Sequence, residues 1–284
     1  MRSSDDVIAF LKDPTQCPYN FYRAGPDNAP HFMSAVSKVY HYLQDFLPNA
    51  TTSDEEVPAS RPGCFAYADM LSIGSPIVGS AIYAQAIENG CSDMTLDEER
   101  TLFGLWSAVS SPLVLGFDVG DDAVAARYWP IVTNERALAI NAAWAGEAGR
   151  MLKEAPLSDP ATLHNVTVFD GTSCEVFHNA SNPPHHLKFP LNTFPNWIMY
   201  SKRLTMPAGA VAVIAIRLGA AAVAGSAELE LTVEELARAA GGGTRFEATD
   251  VWTGLKGAAV NADTPWRPMV ASHNSTFVVF HPTA

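Results

Sequence analysis

The run Tyr22-Arg23-Ala24-Gly25-Pro26-Asp27 places an arginine four residues before an aspartate in a Gly-Pro loop. A carboxyl beside a guanidinium stays ionised, whereas a partly apolar pocket lifts its pKa toward the range of a proton donor. Such a pair has the makings of general acid/base chemistry. On spacing alone the plainer reading is favoured, with Asp27 a turn or helix-start residue and Arg23 its surface partner. Two more acids stand where an apolar run gives way to a loop: Cys64-Phe65 leads into Asp69-Met70, and Leu115-Gly116 leads into Asp118. Asp118 is expected to cap the helix that follows it. His185-His186 lies in a Pro-rich stretch with no carboxylate or cysteine at ligand spacing, and is read as a solvated loop.

These residues need elements to hold them. Between His31 and Phe46, Phe32, Val36, Val39, Leu43 and Phe46 recur at three- and four-residue steps, the stripe of a helix. A second helix begins after Thr95, where Thr95 and Glu98 have capping-box spacing, and Leu102, Leu105, Trp106 and Val109 form its buried face. Ser110-Ser111-Pro112 ends it, and Leu113 to Gly116 follows as a short strand, apolar on both faces as in an enclosed parallel sheet. Ala123 to Trp129 and Glu135 to Ile140 read as two helices separated by Pro130. Beyond about Met151 the pattern turns to β runs: Trp197 to Lys202, Ala210 to Arg217, Glu228 to Leu231, Phe246 to Trp252 and Thr276 to His281. The fold class expected is α/β followed by all-β, with a boundary near Arg150 dividing residues 1–150 from an antiparallel β-sandwich over 151–284.

Five blocks in one order resemble glycoside hydrolase family 27, the α-galactosidases and α-N-acetylgalactosaminidases. The family's Trp-Arg-x-x-x-Asp segment is similar to Tyr22 through Asp27. Its Pro-Gly-x-Trp-Asn-Asp-Pro-Asp-Met-Leu segment is similar to Pro62 through Leu71. Met94 through Trp106, Ser111 through Asp118, and Val132 through Asn141 match three further motifs. The likeness covers most of residues 19 to 152, interrupted by an apparent insertion from Ser75 to Ser92. It implies that residues 1–150 are the last three or so βα units of a (β/α)8 barrel, whose functional groups sit at the carboxyl ends of the strands. It further implies retaining hydrolysis of terminal α-galactosides between two carboxylates about 5 Å apart. Asp27 would be the acid/base, Arg23 a ligand of sugar hydroxyls, and Asp69 and Met70 the lining of the galactose pocket.

Two departures qualify that expectation. The family's nucleophile lies on an upstream Lys-x-Asp segment that has no counterpart here, so the chain is expected to be a truncated form, inactive alone and prone to self-association. Within the best motif, Asn-Asp-Pro is replaced by Ala66-Tyr67-Ala68, and a phenol with a pKa of about 10 does not stand in for an ionised acid. A noncatalytic sugar-binding protein is the competing expectation.

Composition bounds the rest. The 284 residues are 48% hydrophobic and 17% charged, as packed domains are. Thirty acids against 18 Lys and Arg give a net charge of −12, which argues against nucleic acid as a partner. No apolar run reaches the ~20 residues that span a bilayer. The four cysteines show no metal-ligand or redox spacing, so no metal or cofactor is expected, while their pairing stays open. Asn-x-Ser/Thr sequences at Asn49, Asn165, Asn179 and Asn274, together with the resemblance, point to a secreted or lysosome-like setting, although no secretory signal heads the sequence.

Overall fold

The computed structural model describes residues 11–13, 17, 19–25, 30–48, 58–75, 93–156, 166–169, 174–177, 194–219 and 229–283. Asp27, the His185-His186 pair, segment 76–92, and the acceptor asparagines 49, 165 and 179 lie outside them.

The first part pairs two short strands, β1 (Phe21–Arg23) and β2 (Phe65–Tyr67), in parallel, with Phe21 opposite Phe65 and Arg23 opposite Tyr67. Helix α1 (Phe32–His41) follows β1 and continues into a 3₁₀ turn over Leu43–Phe46. Helix α2 (Leu96–Ala108) starts on the expected capping box, with the Thr95 side chain accepting from the Glu98 N–H and Glu98 accepting from the Thr95 N–H. Residues 113–116 join β2's continuation through one parallel bridge, Leu71 to Leu115. They are not the enclosed strand expected, because Val114 is 37% exposed and only the β2 side flanks them among the described residues.

Helix α3 (Asp122–Val132) runs through Pro130, where the sequence suggested a break. Pro130 and Ala126, whose carbonyl the ring leaves without a donor, both face solvent, so that carbonyl is open to water. Asp121, not Asp118, caps this helix, accepting from the N–H groups of Ala123 and Val124; Asp118 is exposed and accepts from Gly120 N. Helix α4 is Glu135–Ala142.

From Arg150 the chain builds a six-stranded antiparallel sheet. Its strands are β3 (Arg150–Glu154), β6 (Trp197–Arg203), β7 (Val211–Arg217), β8 (Phe246–Asp250), β9 (Lys256–Val260) and β10 (Asn274–Pro282), in the order β3-β6-β7-β10-β8-β9. The separate pair β4 (Val166–Phe169) and β5 (Cys174–Phe177) is also antiparallel. The sheet has two buried faces. On one, Tyr200, Ile214, Ile216 and Phe277 share a core with Leu102, Phe103 and Trp106 of α2. Gly104 permits the approach, since a Cβ there would stand 2.8 Å from Ile214 Cδ1. On the other face, Met199, Val213, Phe246 and Phe280 pack with Val233 and Leu236. Those two belong to helix α5 (Val233–Ala240), so among the described residues a helix, not a second stacked sheet, covers that side. Each fully buried Leu, Ile or Phe contributes about 1.5–3 kcal/mol, so a core shared between α2 and the sheet binds the two parts firmly.

Candidate functional site

Parallel pairing sets Arg23 and the β2 residues at the same carboxyl-end level. The ladder continues past the strands through Ala24 N to Tyr67 O at 2.9 Å. Arg23 and Asp69, read separately from the sequence, meet here: the guanidinium lies 3.2 Å from Asp69 Oδ2. Asp69 is buried and holds φ at 124°, a region that costs a non-glycine residue about 1–3 kcal/mol and persists only where neighbours impose it. They do so on both sides. Trp106 Nε1 donates to the Asp69 carbonyl at 3.1 Å, and the Ala68 N–H donates to Ser111 Oγ at 3.2 Å. Leu71 N then bonds Val114 O at 2.9 Å, and Gly116 N bonds Leu71 O at 3.1 Å. A Cβ on Gly116 would come within 3.0 Å of that Leu71 carbonyl, which explains the glycine.

Because aligned residues of paired strands share a face, Phe21, Arg23, Phe65 and Tyr67 lie together. Phe21 meets Tyr67 edge-on at 5.4 Å, and Phe65 meets Trp144 edge-on at 6.3 Å. Burial pushes the Tyr67 phenol up to about 12, the Asp69 carboxylate adds to the rise, and Arg23 opposes it. Tyr67 is therefore a neutral hydrogen-bonding group at any physiological pH. Met70, 49% exposed, stands at the rim. The assembled surface combines exposed aromatic carbon with a carboxylate and a guanidinium, the mixture that suits a ligand with apolar faces and hydroxyl edges. Asp27 lies outside the described residues, four positions beyond Arg23.

Two supports were not read from the sequence. Trp106 was expected only as core, and it is, but its indole N–H also fixes the strained Asp69. Spacing leaves the cysteine pairing open; Cys17 and Cys64 form a disulfide with a Cα–Cα distance of 6.0 Å, tying the approach to β1 to the residue before β2. The usable signal was that each cysteine closely precedes a strand and those strands pair in register. A crosslink spanning 47 positions constrains the unfolded chain by about 4 kcal/mol. Replacing Cys64 with Ser is expected to cost about 2–4 kcal/mol in urea unfolding, and a loss below ~1 kcal/mol would mean the bridge does not clamp the strands. Of the acceptor asparagines, Asn274 starts β10 with its amide nitrogen on Asp97 Oδ2 at 3.1 Å and its amide oxygen accepting from Ser275 N. A glycan would be carried by the amide nitrogen that meets Asp97.

No family model matches the chain, and no curated protein sequence does. Solved structures do. A GH27 β-L-arabinopyranosidase from Geobacillus stearothermophilus, in complex with arabinose, superposes with a TM-score of 0.62 at 15% identity, over 99% of this chain and 48% of that one. α-Galactosidase from Saccharomyces cerevisiae gives 0.56 at 14% identity, over 93% of this chain and 60% of that one. α-Galactosidase I from Mortierella vinacea gives 0.51 at 17% identity, over 96% and 50%. The chain thus spans about half the length of the first of these structures, and its fold is similar to that of these α-galactosidases and of the GH27 β-L-arabinopyranosidase.

Proposed function

We propose that this chain forms one wall of the sugar pocket of a retaining α-galactosidase-type glycosidase acting on terminal α-linked galactose of oligosaccharides or glycolipids. Residues 1–150 form part of a (β/α)8 barrel, and residues 151–284 its C-terminal β domain. The observation that carries this reading is the Arg23–Asp69 ion pair at the carboxyl ends of two parallel strands, beside the neutral Tyr67 phenol and exposed aromatic carbon. Arg23 and Asp69 hydrogen-bond ring hydroxyls, Met70 packs on the ring, and Asp27 protonates the glycosidic oxygen and later activates water. A retaining mechanism needs a second carboxylate about 5 Å from the first. Asp69 is committed to Arg23, and we assign no nucleophile in this chain, so binding without turnover is expected of it alone. The disulfide suits an oxidising compartment and supports a secreted or lysosome-like setting.

The replacement Ala66-Tyr67-Ala68 favours a second reading, a sugar-binding protein without catalysis, because it leaves a phenol where an ionised acid would stand. Both readings require the pocket to bind. Calorimetric titration with D-galactose is expected to show millimolar affinity, and Asp69→Asn to weaken it about 10- to 100-fold, the worth of a charge-assisted hydrogen bond. Absence of binding, or binding indifferent to the substitution, overturns both readings. Release of aryl alcohol from an aryl α-galactoside by this chain alone would show that it carries its own nucleophile.

A further inference from the structure

Helix α2 grips the segment after β2 at two points. Trp106 Nε1 holds the Asp69 carbonyl, and seven residues earlier on the helix Glu99 Oε1 accepts from the Gly74 N–H at 2.9 Å. Seven residues are about two turns, so both side chains leave the same face of α2 and span about 10 Å along it. Between the grips run Leu71 and Ile73, both fully buried, and beyond them Ser75 Oγ donates to Gly116 O at 3.0 Å. The Gly74 end is tightly built. Its φ is +68°, and a Cβ there would stand 2.7 Å from the Tyr128 ring and 2.9 Å from Phe117 Cβ.

We propose that Glu99 is a positioning residue for the sugar pocket: its carboxylate, through Gly74, keeps the 69–74 segment taut so that Asp69 stays against Arg23. The pocket's ligand rests on the reading above, whereas the mechanical link does not. Glu99 is 3% exposed, and besides the Gly74 N–H its carboxyl has the Tyr128 hydroxyl as a hydrogen-bonding neighbour. Around it stand Tyr128 and Arg127 of α3, which favour the ionised carboxyl, and Asp93, which opposes it. On α2 itself, Glu98 is engaged with His273, and Asp97 with Arg100. Burial outweighs these neighbours and lifts the carboxyl to about 7. As pH falls through 7 the carboxyl gains a proton, its bond to Gly74 loses the charge, and the grip slackens.

The test reads the segment without ligand. The indole N–H resonance of Trp106, assigned with Trp106→Phe, is expected to shift with a midpoint near pH 7 in the unaltered chain. In Glu99→Gln it is expected to stay at the low-pH position throughout. Galactose affinity should fall about 3- to 10-fold between pH 8 and pH 6, and remain at the weaker value in Glu99→Gln. An indole signal that does not titrate, or that titrates equally in the variant, overturns the inference; should the variant not fold, the unaltered chain's titration decides alone. A titrating indole without galactose binding at any pH would sink the sugar reading and leave Glu99's positioning role standing.

Discussion

Lys202→Ala is expected to destabilise the protein by about 3–5 kcal/mol, because it removes one partner from a fully buried polar cluster. Lys202 lies in β6 with no exposed surface, and its ammonium donates to the carbonyls of Ile140 and Asn141 and to Ser110 Oγ. The two carbonyls belong to the last turn of α4, where helices leave four acceptors without internal donors and where the dipole favours a cation. A strand of the sheet thus caps a helix of the first part. Burial pushes the ammonium down to about 7, with Glu147 opposing the shift. The sign follows from proton counting. Between about pH 7 and 10.5 the unfolded lysine holds a proton that the folded one releases, so this residue makes stability rise with pH across that window. Unfolding in urea at pH 7 should show the loss, and a pH series should show the slope reduced in Lys202→Met, which keeps most of the volume without the charge. A cost below ~1 kcal/mol for the alanine variant would mean that the cluster is solvated and does not join the two parts.

That cluster shows what the sequence could and could not convey. Local chemistry was legible: the Thr95–Glu98 capping box and the stripe from Phe32 to Phe46 each name their own helix within a few residues. Lys202 reads as the polar end of an apolar strand, and nothing nearby reveals acceptors 61, 62 and 92 positions away. Helix α5 has an equally local signature. Thr232 and Glu235 form a capping box, and Gly241 closes the helix at φ 85°; the β run expected from Glu228 to Leu231 just before it is, among the described residues, only an isolated bridge from Leu231 to Trp266. The loops that carry Arg23 and Asp69 mark each of them, but their meeting depends on a parallel register, which spacing along one chain does not encode. The strain at Asp69 was likewise invisible, since aspartate gives no hint of φ 124° until Trp106 and Ser111 are seen holding its neighbours.

Gly149→Ala is the other substitution with a large expected effect, about 3 kcal/mol or more, and a nearby glycine supplies the control. Gly149 leads into β3 at φ +120° and crosses the end of α2 so closely that a Cβ would lie 2.1 Å from the Ala108 carbonyl oxygen and 3.2 Å from Val109 Cα. Both obstacles are main chain, so no side-chain rotation relieves them, and either β3 or the end of α2 must move. Gly146 also has a positive φ, +92°, but nothing stands within 4 Å of its Cβ position. Its alanine variant therefore bears only the backbone strain, about 1–3 kcal/mol. The difference between the two isolates the clash. At roughly 2–4 °C per kcal/mol for a chain somewhat shorter than this one, thermal unfolding should separate them by several degrees. Pushing α2 outward at Ala108 also disturbs Ser110, which receives Lys202, and Ser111, which receives the N–H before Asp69. Gly149→Ala should therefore weaken galactose binding from the C-terminal end of α2, whereas Gly146→Ala should leave it unchanged. Equal melting temperatures for the two variants would show that the crossing yields without cost, and that the junction does not transmit to the pocket.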